Sequence, residues 1–179
     1  MKGIVFSLFF DIIEQRFGME TLETMLERTG FTHPFTSVGD YKHHELIAMI
    51  QVIHQLTGES IDNLQREVGK AMFGSLYQTL PIPIQHDLPF VEFLKKVEDE
   101  IHAEVKKLYP SARPPKFIFI EQSGEATVFE YQSHRCLSSL CLGLLEGCAA
   151  HFSQPITIAS HHLKPDGSAV RFTIIKSES

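Results

Sequence analysis

Tyr131, Ser133 and Arg135 alternate in the run Tyr-Gln-Ser-His-Arg. On an extended segment, positions i, i+2 and i+4 share a face, so two hydroxyls and a guanidinium would point one way. Arginine offers a planar fork suited to carboxylates, and the hydroxyls add neutral donors. Such a row suits a ligand with one or two carboxylates; from spacing alone, a solvated strand face ending in a polar turn is the commoner meaning. His102 is the second candidate. On an α-helical wheel it lies about 80° from Leu94 and about 60° from Val105, at the border of an apolar stripe. A histidine there usually packs and hydrogen-bonds; the functional reading is an axial metal or haem ligand. His43, His44, His161 and His162 sit near element ends, and His33 precedes Pro34 in a loop. Cys141, Cys148 and His151, with His161 or His162, could form a zinc site. No Cys-x2-Cys pair supports it, and buried structural thiols are the commoner outcome. A triad of Ser133, His134 and an aspartate is weaker, because adjacent strand residues face opposite sides.

These residues need elements to position them. The spacing predicts helices over 4–17 (Ile4, Val5, Leu8, Phe9, Ile12, Ile13 and Phe17, stopped by Gly18), 20–28 (closed by Gly30) and 43–57 (ending at Gly58). Ser60 or Asp62 caps a further helix through Tyr77. Pro81, Pro83 and Pro89 make the next connection irregular. A long helix over 90–108 carries Phe90, Leu94, Val97, Ile101, Val105 and Leu108 on one face. The texture changes at the loop Tyr109–Pro115. Strands then follow over 117–120 and 127–133, around a turn at Gly124, with a helix over 136–152. Strands over 156–160 and 170–175 flank a Pro165-Asp166-Gly167 turn. Helices followed by β-β-α-β-β argue for an α+β protein in which a helical lobe lies beside a four-stranded antiparallel sheet.

Composition narrows the function classes. The chain has 179 residues, 43% hydrophobic and 21% charged, with a mean hydropathy of −0.03. That is enough for one core, in two lobes at most, and it excludes disordered and fibrous classes. Sixteen Lys and Arg against 22 Asp and Glu leave a formal charge of −6, which disfavours nucleic acid as a partner. No apolar run approaches a membrane span. The amino terminus starts like a signal peptide, but Asp11, Glu14 and Arg16 arrive on a helical schedule and no cleavage site follows, so a cytoplasmic location is expected. Three cysteines within 13 residues do not make a disulfide framework.

Together these features identify the chain as similar to the H-NOX (haem-nitric oxide/oxygen binding) family, which includes stand-alone bacterial proteins and the haem domain of soluble guanylate cyclase. The resemblance runs from Met1-Lys2-Gly3-Ile4-Val5-Phe6 through the His102 helix and the Ala-Arg-Pro-Pro stretch ending at Pro115. Its most specific part is Tyr131-x-Ser133-x-Arg135, followed by the helix Leu140 to Gly147. It implies a single domain over 1–179, with a helical lobe near 1–62, a C-terminal lobe near 63–179 and haem b buried between them. By that resemblance His102 ligates iron through Nε2, and Tyr131, Ser133 and Arg135 bind the propionates. Pro115 presses the porphyrin out of plane. Val5, Phe9, Met72, Phe73, Leu140 and Leu144 line the pocket.

Oxygen-binding members of the family carry a distal tyrosine, where this chain has Leu140, and tryptophan is absent altogether. An apolar distal side leaves bound dioxygen without a donor, at a cost of about 1–3 kcal/mol. The expected ligands are therefore NO and CO, with O2 excluded; Ser138 or Ser139 is the one donor that would upset this. The resemblance further implies a non-enzymatic sensor that signals by release of His102 and lobe rotation to a histidine kinase or a cyclic-di-GMP enzyme. The rivals are a haem-free carboxylate- or zinc-binding scaffold and, within the family, an O2 sensor or a redox sensor through Cys136, Cys141 or Cys148. An enzyme using Ser133 or a cysteine as nucleophile lacks an elbow motif, an ordered base and a plausible acid.

Overall fold

A computed structural model of the chain describes residues 1–31, 36–80, 88–110, 112–122 and 126–177. The expectations at His33, Pro34, Pro81, Pro83 and Gly124 lie outside the described residues. The described elements are α1 (Gly3–Phe17), α2 (Met19–Thr29), α3 (His43–Thr57), α4 (Ile61–Gln78), α5 (Phe90–Lys96), a π-helical segment (Val97–His102), α6 (Ala103–Leu108), β1 (Lys116–Gln122), β2 (Ala126–Gln132), α7 (Ser138–His151), β3 (Ile156–His162) and β4 (Ala169–Lys176). The four strands form one antiparallel sheet in the order β1-β2-β4-β3. The fold is therefore α+β. No helix among the described residues is long and apolar enough to cross a membrane.

Helix ends follow local chemistry. Gly30 and Gly58 close α2 and α3 in the left-handed conformation, at φ 64° and 73°, which costs glycine little. Ser60, rather than Asp62, caps α4: its hydroxyl accepts from the Asn63 N–H at 3.2 Å.

Apolar side chains collect into two cores. The first gathers Phe6, Phe9, Ile13, Met25, Met49 and Ile53 from α1, α2 and α3, with Val68 and Met72 of α4 and Leu140 of α7. The second packs the sheet residues Phe129, Tyr131 and Phe172 with Phe93 of α5 and Cys141 and Leu145 of α7; α4 contributes Phe73 and Tyr77. Both α4 and α7 thus serve both cores. They can do so because they cross at glycines. A Cβ at Gly143 would collide with the Arg66 carbonyl oxygen, one at Gly69 with the Leu140 carbonyl oxygen, and one at Gly147 would stand 2.6 Å from the Lys70 carbonyl oxygen.

Two elements differ from expectation. The 90–108 helix is not uniformly α-helical, because its middle, Val97–His102, is π-helical. A π turn holds an extra residue, and one residue turns an α-helical stripe by about 100°. Leu108, expected on the buried face, is accordingly 63% exposed. The helix expected from residue 136 begins instead at Ser138, because Cys136 adopts a left-handed φ of 54°.

Candidate haem site at the lobe junction

Only part of the Tyr-x-Ser-x-Arg row is extended. Tyr131 lies on β2 opposite Val170, but the strand ends at Gln132. The Ser133 N–H donates to the Ser168 carbonyl at 2.8 Å, and the Cys136 N–H closes a turn onto the Ser133 carbonyl at 3.3 Å. The Arg135 N–H donates to Ser133 Oγ at 3.2 Å. Arg135 therefore joins the two hydroxyls through a turn, not through strand alternation.

The electrostatics of this group are those of an anion receptor. Tyr131 and Ser133 are both buried. Burial raises the Tyr131 phenol above its ordinary value, so it stays a neutral donor. Burial also lowers the half-buried Arg135 guanidinium from its usual value. Among the described residues no carboxylate lies within ion-pairing distance of it; Asp40, which acts on Arg135 at longer range, is paired with the Met1 amino group at 3.1 Å. A half-buried cation without a counter-ion is costly unless an anion is supplied. Two imidazoles share the same place. The His43 and His134 rings meet edge to face at 5.3 Å. Both imidazoles are pushed down, first by burial and then by cationic neighbours that include Arg135 and the Met1 amino group. Lys2 lies over the Tyr109 ring at 2.8 Å from its centre, which draws the start of the chain toward the loop that precedes Pro115.

His102 ends the π-helical segment. Its ring meets Phe117 of β1 edge-on at 5.3 Å, and Phe117 in turn lies 6.4 Å from Tyr131. Its Nδ1 is 3.0 Å from Glu98 Oε2, and the same carboxylate oxygen accepts the Phe117 N–H at 3.0 Å. Burial pushes the Glu98 carboxyl up, but the hydrogen bonds from His102 and Phe117 outweigh it, and the net displacement is downward. An ionised carboxylate only accepts, so Nδ1 carries the proton in this contact, and in the neutral ring that leaves Nε2 as the nitrogen with a lone pair. Pro115, half-buried, stands just before β1.

The candidate lining residues divide between the cores. Phe9, Met72 and Leu140 are buried in the first, with Val5 half-buried against it. Phe73 and Leu144 belong to the second, where Phe73 meets Phe93, Tyr77 and His151. Adjacent residues on an α-helix point about 100° apart, so Met72 and Phe73 face different cores. Ser139 donates to Asp62 at 2.9 Å, and both Ser138 and Ser139 border a small cleft with Ser160 and His162, on the β3–β4 side. Among the described residues no three His, Cys, Asp or Glu side chains converge to hold a metal ion, so the zinc arrangement of Cys141, Cys148 and His151 does not assemble. A cleft of about 270 Å³ between α5 and the sheet, bordered by Glu92, Lys95, Gln154 and Lys176, touches none of the candidate residues.

The donor set fits haem: one imidazole with a second ring nitrogen to offer, and two neutral hydroxyls beside a guanidinium that has no ion-pair partner among the described residues, for two carboxylates. Sequence reasoning missed Glu98 and the cations around Arg135. The Glu98–His102 spacing of four was its only available signal, and on a helix such a pair usually means a surface contact.

Comparison with known proteins agrees. The haem-NO-binding family model matches residues 2–160. No curated protein matches the chain significantly. Among solved structures, an unliganded Fe(II) H-NOX protein from K. algicida is 30% identical, with a TM-score of 0.90 over 100% of this chain and 98% of that one. An H-NOX protein from S. oneidensis in the Fe(II)NO state is 25% identical, with a TM-score of 0.89 over 99% of this chain and 100% of that one. An H-NOX variant from T. tengcongensis is 24% identical, with a TM-score of 0.88 over 99% of this chain and 98% of that one, and shares the fold. By its sequence and its architecture, the chain belongs to the haem-NO-binding (H-NOX) family of haem-based gas-sensing domains.

Proposed function

We propose that the chain is a single-domain sensor of NO and CO that binds haem b between a helical lobe near 1–62 and a C-terminal lobe near 63–179. The observation that carries this reading is the half-buried Arg135, with no ion-pair partner among the described residues, beside Tyr131 and Ser133 and one aromatic ring away from an imidazole whose second nitrogen makes no hydrogen bond among the described residues. A haem held there would supply a ferrous iron able to bind a diatomic gas. His102 would offer Nε2 to the iron. The Tyr131 and Ser133 hydroxyls and the Arg135 guanidinium would hold the propionates, and Pro115 would press against the ring.

The residues on the distal side select the gas. Val5, Phe9, Met72, Leu140 and Leu144 contribute no hydrogen-bond donor; Ser138 borders the cleft beside β3 and β4, and the Ser139 hydroxyl is engaged with Asp62 of α4. Dioxygen becomes polar on binding and loses about 1–3 kcal/mol where no donor meets it, roughly one to two decades of affinity. NO and CO need no such donor. The relative from S. oneidensis, solved in the Fe(II)NO state, supports NO as the ligand. Displacement of His102 would then free the segment from Val97 to Leu108 and relax the contact at Pro115, so that the lobes rotate. The receiver is a separate signalling enzyme in the bacterial cytoplasm, either a histidine kinase or a cyclic-di-GMP enzyme.

Absorption spectra of the reduced protein under argon, air, CO and NO test the reading. A Soret band that shifts with CO and NO, and that air leaves without a stable oxygen complex, is the expected result. A protein that stays colourless with added haem, or one that holds oxygen stably, overturns it. His102→Ala should lose haem or hold it only with added imidazole. Arg135→Ala should weaken haem retention without changing which gas is preferred. A persistently six-coordinate NO spectrum would count against His102 release.

A further inference from the structure

We infer that Glu98 is a positioning residue that sets the strength of the bond between His102 and the haem iron, and thereby how readily that bond yields to a gas on the opposite face. This rests on the haem reading above. Three observations carry it. Glu98 and His102 both lie within the π-helical turn, Glu98 second and His102 last, in the one stretch of the 90–108 helix that departs from α-helical winding. Glu98 Oε2 accepts from His102 Nδ1 and from the Phe117 backbone N–H, each at 3.0 Å. Both partners are largely shielded, with the imidazole 12% and the carboxylate 16% exposed. The second bond matters as much as the first. It anchors the carboxylate to β1, so Glu98 is not a mobile surface acid that meets the ring occasionally. A π turn at a functional side chain is a recurrent device.

The chemistry follows from a metal ligand's outer hydrogen bond. An imidazole that donates Nδ1–H to a carboxylate is fixed in one tautomer and one orientation, and Nε2 becomes a more basic donor. The iron–histidine bond is therefore stronger than it would be with a neutral acceptor. Glu98 accordingly raises the threshold at which His102 lets go. When His102 is released, Glu98 stays on Phe117 and keeps the imidazole's return path defined.

Resonance Raman spectra of the ferrous protein, unliganded, report the iron–histidine stretching band directly. Three proteins are compared: wild type, Glu98→Gln and Glu98→Ala. Gln retains one oxygen able to accept both N–H groups but removes the charge, while Ala removes the acceptor. The expected result is a stepwise downward shift of the band from Glu to Gln to Ala. The reduction potential should rise in the same order, and the five-coordinate share of the NO complex should grow. Glu98→Ala should also lose haem roughly 10- to 100-fold more readily. A merely structural role would alter none of these in Gln, which keeps the shape and both hydrogen bonds. If Ala fails to fold by circular dichroism, the Glu-to-Gln step decides alone. A haem-loaded wild type whose band and NO coordination do not respond to residue 98 overturns this inference and leaves the haem reading intact; a wild type that takes up no haem overturns both.

Discussion

Cys141 and Cys148 are fully built into the second core, and burial sets their chemistry. Burial pushes the Cys141 thiol up to about 12 and raises Cys148 as well. Thiolate is the reactive form, so neither should react near neutral pH. Cys136 is half-buried, and burial followed by the charge of Asp166 raises its thiol too. A chromogenic disulfide reagent at neutral pH should therefore find one slow thiol in the native protein and three after denaturation; two or more fast native thiols would contradict this packing and revive a redox role. The residue scale also shows what spacing can reveal about a site. Tyr131, Ser133, Arg135 and His102 stand out by type, but their spacing alone favours a polar turn and a packed histidine, and it is the family resemblance that singles them out. Glu98 is not legible, because its second partner is a backbone N–H 19 residues further along the chain, and sequence patterns do not show backbone donors.

At the scale of elements, termini were more legible than windings. Gly18, Gly30, Gly58 and Ser60 announce their helix ends through local conformational preference, and the structure places them there. The π-helical turn leaves no such signature, since it is held by contacts with β1. Likewise Cys136 takes a left-handed φ that cysteine disfavours, so the strand-to-helix turn read as uninterrupted. The tightest element pair is α4 with α7, where two attractions operate. Arg66 reaches Glu146 through Nε and Nη2 at 2.5–3.0 Å, but a partly exposed ion pair contributes only about 0–1 kcal/mol. The backbone contacts at Gly69, Gly143 and Gly147 weigh more. Gly143→Ala sets a methyl group against the Arg66 carbonyl oxygen; it should cost about 1–3 kcal/mol or more, as overpacking does. Urea unfolding should show the loss, and a variant as stable as wild type would mean that the helices can slide apart freely.

Across the whole molecule, charge is unevenly spread. The chain carries a formal −6, yet the Met1 amino group, Arg113, His43, His134 and Arg135 act on one another at the lobe junction. His43 and His134 are held below the ordinary histidine value of 6.5. In that window the folded chain binds fewer protons than the unfolded one, so stability falls as pH drops through it. Thermal melts from about pH 7.5 to about pH 5.5 should show a declining midpoint, and His134→Gln should flatten the decline. Haem loading should flatten it too, because carboxylates beside Arg135 oppose the cationic field. A midpoint independent of pH in all three samples would show that these imidazoles are solvated and uncoupled.

The glycine crossing has a mechanical meaning. With carbonyl oxygens of one helix set against Cα atoms of the other, α4 and α7 form a stiff spar that runs through both cores. Any swing of α1, α2 and α3 relative to the sheet has to pivot on that spar and cannot split it. In the proposed lobe rotation, pairs of distance probes on α4 and α7 should therefore read constant while a probe on α2 travels, and the travelling surface is where the proposed signalling partner would find something changed.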